Sequence, residues 1–133
     1  MNIWHPGDRP TQKAPNNYFT GAVWQDAVIT VPAPGRLRAV LVRFDPGART
    51  FWHTHPLGQT LFVTGGCGRV ALRGEPSRII RQGDTVFIPE GVEHWHGAGT
   101  DTSMTHLAMQ EARNNSVITW LEEVSETDYT RPA

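Results

Sequence analysis

From residue 27 to residue 121, short apolar runs recur along the chain, most of them alternating with polar residues and closed by glycine or proline. Alternation at period two is the mark of a β-strand with one buried face. In 37–44, Val40, Val42 and Phe44 share one face, and Leu37, Ala39 and Leu41 share the other. Both faces are apolar, so this strand is expected to be covered on both sides, by a barrel interior and by a second sheet or a partner subunit. Residues 49–55 put Phe51, His53 and His55 on one face, and 59–64 do the same for Gln59, Leu61 and Val63. Further strands are predicted at 27–31, 68–73, 77–81, 84–88, 94–98, 103–110 and 117–121, with Gly65-Gly66 closing the 59–64 strand. Asp45-Pro46-Gly47, Pro56-Leu57-Gly58, Gly74-Glu75-Pro76, Gln82-Gly83-Asp84 and Pro89-Glu90-Gly91 mark turns. Ser125-Glu126-Thr127-Asp128 has the form of a capping box opening a short helical turn. About eight to ten short strands at regular spacing predict an all-β sandwich or closed barrel.

Length and composition narrow this without changing it. The 133 residues suit a single domain over 1–133, with an N-terminal arm over 1–20 and the barrel core over 37–110. Hydrophobic residues make up 38% and charged residues 19%, enough for a core and unlike a disordered chain. A net charge of -1 and the lack of a basic stripe argue against nucleic acid as a partner. No apolar run approaches the ~18–20 residues that span a bilayer, so no membrane association is expected. Met1-Asn2-Ile3-Trp4-His5-Pro6 carries neither the basic nor the apolar region of a signal peptide. The single cysteine, Cys67, fits a reducing cytoplasm, and without a nearby histidine or basic residue it reads as a packed or turn cysteine. Trp52 and Trp95 adjoin histidines in sequence and so point to the opposite, outer face. With the doubly apolar strand at 37–44 they suggest a homodimer.

The candidate chemistry lies between residues 53 and 106, where five of the six histidines fall on strand faces. His53 and His55, two apart on a strand, aim at one spot. The Pro56-Leu57-Gly58 turn reverses the chain and returns Gln59 toward the same spot. His94, just after the Pro89-Glu90-Gly91 turn, can enter the barrel antiparallel and join them. Three imidazoles and one amide oxygen make a donor set for a divalent metal, and imidazole with carbonyl tolerates Mn, Fe, Co, Ni and Zn alike. A lone strand histidine is more often structural, but a His-x-His pair, a turn and a second His-x-His at 94 and 96 outweigh that reading.

These residues carry a family resemblance. Gly47-x5-His53-x-His55-x3-Gln59-x6-Gly66 resembles the first cupin motif with glutamine in place of the usual glutamate. Gly83-x5-Pro89-x-Gly91-x2-His94 resembles the second, with Ala98 in place of its closing asparagine. The resemblance implies a cupin jelly-roll β-barrel with a divalent metal in its mouth. Across residues 37–121 the chain is similar to small single-domain cupins that include bacterial (R)-selective hydroxynitrile lyases, which implies manganese and cyanohydrin chemistry on a small-molecule substrate. A neutral Gln59 leaves the metal its full charge and so favours Lewis-acid work over stabilising a higher oxidation state. His96 and His106 share the site's strand faces and are candidate acid–base groups, His106 first; the alternative is that they orient ligands. Thr50, Met104 and Gln110 are candidate lining residues. Val40, Val42, Phe44, Phe51 and Leu61 either wall a substrate site or fill the barrel core. Two rival functions stand beside the lyase: an oxygen-using dioxygenase and a non-catalytic small-molecule-binding cupin.

Overall fold

A computed structural model describes residues 1–132. Its strands are β1 (Gln12–Lys13), β2 (Phe19–Thr20), β3 (Val23–Thr30), β4 (Leu37–Phe44), β5 (Arg49–Thr50), β6 (His53–Thr54), β7 (Gln59–Leu72), β8 (Arg78–Arg81), β9 (Thr85–Ile88), β10 (His94–Ala98), β11 (Met104–Glu111) and β12 (Thr119–Trp120), followed by helix α1 (Glu126–Thr130). The pairings are antiparallel and run β1-β3-β4-β11-β7-β10-β5-β2. Strands β8 and β9 pair with β7, β6 with β10, and β12 with β6. The sheet curls into the all-β barrel that the alternation predicts. Its inner faces bring Val23, Val42, Phe44, Leu61, Val63, Ala98, Met104 and Ala108 into one core. Among the described residues no helix is long and apolar enough to cross a membrane.

Strand β7 departs most from expectation. Gly65-Gly66 does not close it, and one strand runs from Gln59 to Leu72. Its first half pairs with β9 and β11, its second with β8 and β10. The register against β11 slips between Thr105 and His106, opposite these glycines. Gly66 has φ +75°, and a Cβ there would collide with the carbonyl of Ser103. Only glycine meets both demands at 66, and beside it Thr64 is left out of the register as a bulge, so one strand bends from one wall of the barrel into the other.

The opposite correction applies to 49–55, which is two short strands rather than one. At the break, Phe51 N–H donates to Tyr18 O and Trp52 N–H to Glu122 O, both at 2.9 Å. The chain's own N-terminal arm and C-terminal segment thus take over the ladder there. Strand β3 begins four residues before the predicted 27–31 and carries a bulge between Ala27 and Ile29. The strand predicted at 117–121 shrinks to Thr119–Trp120.

The C-terminal segment covers the outside of the barrel. Ser125 caps α1, its Oγ accepting from Asp128 N at 3.1 Å. Tyr129 buries its ring 5.5 Å from that of Trp95 and donates its hydroxyl to Ala98 O at 2.7 Å. With Trp52, Ala71 and Val124 these rings form a second apolar cluster. The guanidinium of Arg49 lies 4.2 Å over Tyr129 and that of Arg73 4.1 Å over Trp52. Trp52 and Trp95 therefore do face outward, but their cover is this chain's own tail rather than a subunit contact, and they lend no support to a dimer. The outer face of β4 is only partly covered: Ala39 is buried, Leu41 half-buried and Leu37 exposed.

Candidate active site

The four residues of the predicted donor set meet in the barrel mouth. His53 on β6 and His94 on β10 are register partners with ring centroids 4.2 Å apart. The His55 ring stands 5.1 Å from His53 and 5.5 Å from His94. Gln59 opens β7, and its Oε1 lies 3.0 Å from His94 Nε2.

Each of these imidazoles is oriented by a backbone carbonyl. Nδ1 of His53 donates to Phe51 O at 2.8 Å, Nδ1 of His55 to Val117 O at 2.6 Å, and Nδ1 of His94 to Val92 O at 2.9 Å. A neutral ring whose Nδ1 carries the proton presents a lone pair at Nε2. Burial keeps the rings neutral. It pushes His94 down to about 4, lowers His55, and with the neighbouring His94 and His55 holds His53 well below its ordinary value. His94 Nε2 and Gln59 Oε1 are then two acceptors 3.0 Å apart, an arrangement that calls for a cation between them. Nε2 of His55 is also buried with no hydrogen-bond partner among the described residues. The orphaned lone pairs and neutral donors fit a divalent metal held by His53, His55, Gln59 and His94.

His96 enters the same cluster, which spacing alone did not assign. Ligand atoms of His53, His94 and His96 all lie within 4.8 Å of one another. His96 also faces away from that group, toward His106: His106 Nε2 and His96 Nδ1 are 2.9 Å apart. The outer nitrogens, His96 Nε2 and His106 Nδ1, are buried without partners among the described residues. Burial pushes His106 down to about 4. Burial and then the nearby His106 hold His96 well below 6.5. Phe44 presses on both rings, at 5.3 Å from His106 and 5.9 Å from His96, and Thr50 Oγ1 accepts from His96 N at 3.2 Å.

A cavity of about 220 Å³ opens beside His53, His55, Gln59 and His96, with His106 buried behind His96 and off the cavity wall. Val40, Val42, Thr50 and Gln110 line it, whereas Phe44 and Leu61 are fully buried in the core behind it. Met104 is buried in that core as well. Phe19, Gln25, Ala108, Val117, Ile118 and Trp120 complete the wall. Ala108 shares the strand face of His106, so alternation points to it. Nothing in the pattern of 117–120 does, because that segment reaches the mouth by pairing with β6.

A curled antiparallel barrel with histidines converging in its mouth is the architecture of a cupin, and the chain belongs to that family: residues 40–109 match the Cupin domain. Over 131 residues it is 44% identical to the (R)-mandelonitrile lyase of Granulicella tundricola, covering 98% of this chain and 100% of that protein. A cupin-like protein from Thermotoga maritima superposes with a TM-score of 0.84 at 38% identity, over 97% of this chain and 95% of that one. The polyketide cyclase RemF from Streptomyces resistomycificus superposes at 0.76 with 18% identity, over 97% and 90%, a likeness of fold alone.

Proposed function

We propose that this cupin is a metal-dependent hydroxynitrile lyase, cleaving cyanohydrins to a carbonyl compound and hydrogen cyanide. The observation that carries the reading is the His106–His96 pair, 2.9 Å apart and neutral, set beside the His53, His55, Gln59 and His94 donor set. The 44% identity to a mandelonitrile lyase supports the substrate class. Manganese is the metal implied by the resemblance, and iron, nickel, cobalt or zinc accept the same donors. Bound there, a divalent ion supplies a Lewis acid whose charge four neutral ligands do not reduce.

The protein's own groups do the rest. Val40, Val42 and Ala108 take the aryl or alkyl group of the substrate and keep water from it. The His106–His96 pair removes the hydroxyl proton as a general base. The electron pair of the breaking C–C bond leaves with cyanide as the carbonyl forms. The same pair then returns its proton to cyanide, so the histidines end as they began.

The test is manganese-loaded protein with racemic mandelonitrile, following benzaldehyde release and the enantiomer consumed. Release dependent on metal, with preference for the R enantiomer, is expected. Release no greater than in a metal-free control refutes the lyase reading.

We propose further that a second copy of the chain covers the outer sheet face, where Leu37, Phe62 and Phe87 are exposed. Sedimentation should return a dimer or larger closed assembly. A monomer at micromolar concentration refutes this.

A further inference from the structure

The donor set above works only if the oxygen, not the nitrogen, of the Gln59 carboxamide faces the histidines. We propose that Gln110 enforces this orientation, as the middle member of a one-way hydrogen-bond relay running from the Arg38 backbone carbonyl to Gln59. The proposal rests on the metal-site reading of His53, His55, Gln59 and His94.

The relay follows the sheet. Gln110 on β11 is the register partner of Arg38 on β4 and of Gln59 on β7, so three adjacent strands place the groups in a row. A backbone carbonyl can only accept, and it cannot turn over. Gln110 Nε2 donates to Arg38 O at 3.1 Å, which leaves Gln110 Oε1 toward Gln59. Gln59 Nε2 donates to that oxygen, again at 3.1 Å. The remaining end of the Gln59 amide, Oε1, is thereby turned to His94 Nε2. The direction of every bond is set by the one group that has no choice.

The relay accounts for an amide at a position where cupins usually carry a carboxylate. A glutamate at 59 offers no donor to Gln110 Oε1. Were Gln110 to rotate and donate to it, the Gln110 oxygen would face the Arg38 carbonyl instead. Either way one junction sets oxygen against oxygen. Gln59 and Gln110 are thus a matched pair, and a carboxylate at 59 calls for a residue that only donates at 110. Gln110 acts through Gln59, as a positioning residue, besides lining the cavity.

The experiment measures Mn(II) affinity by chelator competition, and the EPR spectrum of the bound ion, for the full chain and four variants: Gln110→Ala, Gln110→Lys, Gln59→Glu and the Gln59→Glu/Gln110→Lys double. Gln110→Ala is expected to weaken binding about 10–100-fold, the usual cost of losing a group that orients a ligand. Gln110→Lys should weaken it more, since its ammonium draws the Gln59 oxygen away from the site. In the Gln59→Glu background the same lysine should bind Mn(II) at least as tightly as Gln59→Glu alone. Residue 110 is half-buried, and melting of the metal-free variants separates misfolding from lost orientation. Wild-type affinity in Gln110→Ala, or equal damage by lysine in both backgrounds, overturns the relay. Failure of the wild-type chain to bind Mn(II) overturns the metal site itself, and the relay with it.

Discussion

His106 Nε2 and His96 Nδ1 face each other at 2.9 Å inside the barrel, and the far nitrogen of each ring is unpartnered among the described residues. One proton sits between the facing nitrogens, so the tautomer of one ring sets that of the other. A proton taken up at one far nitrogen can be matched by one released at the other. His106→Ala is expected to lower kcat for mandelonitrile cleavage by about 10²–10⁴-fold, the range for a general acid–base group. Its manganese content should not change. Stopped assays with elemental analysis of the same preparation check both, and a full rate in His106→Ala moves the acid–base role elsewhere.

Metal retention should follow the donor set. His94→Ala removes the ring that faces Gln59 Oε1 and is expected to empty the site, with cleavage lost in parallel. A chelator should do the same to the unaltered protein, and added Mn(II) should restore both. Elemental analysis showing full metal in His94→Ala contradicts this assignment.

Acid should destabilise the metal-free protein well before its carboxylates titrate. Burial holds His94 and His106 at about 4 against an ordinary 6.5. Between those values the unfolded chain binds protons that the folded chain refuses, so stability falls as pH falls through 6.5 toward 4. Each ring contributes about 3 kcal/mol across that window, and His53 and His96 push the same way. Calorimetry in the presence of chelator checks the slope: Tm should drop steadily from pH 7 to pH 5, and a flat Tm contradicts it.

Tyr129 ties the tail to the barrel by one buried hydrogen bond and one ring. Tyr129→Phe removes only the bond to Ala98 O and should cost about 1 kcal/mol. Tyr129→Ala also opens a cavity against Trp95 and should cost about 3–5 kcal/mol. Urea denaturation of the two variants separates these terms. Equal losses would mean that the ring packing adds nothing.

The convergence of His53, His55, Gln59 and His94 was legible in the chain because it is written at period two. His53 and His55 share a strand face whatever else the protein does, and a three-residue turn returns Gln59 to them. The same rule placed His96 and His106 on the right faces but could not tell that their nitrogens touch, since that depends on the curl of the sheet. Gly65-Gly66 suits a turn and a bulge equally well in sequence; the approach of the Ser103 carbonyl decides it, from a segment that comes later in the chain. The carbonyls that orient His53, His55 and His94 belong to the backbone and leave no trace in residue type. The hydrogen bond from Gln59 to Gln110 joins residues 51 positions apart, and only strand register reveals it.

The segment from Val117 to Trp120 supplies both the carbonyl that holds His55 and part of the cavity wall. During synthesis it emerges after all six histidines have been made. A nascent chain that has reached β11 therefore owns the imidazoles without their shelter, with His55 unanchored and the mouth open to water. Assembly of the pocket is a late event, completed by a stretch that contributes no chemistry of its own.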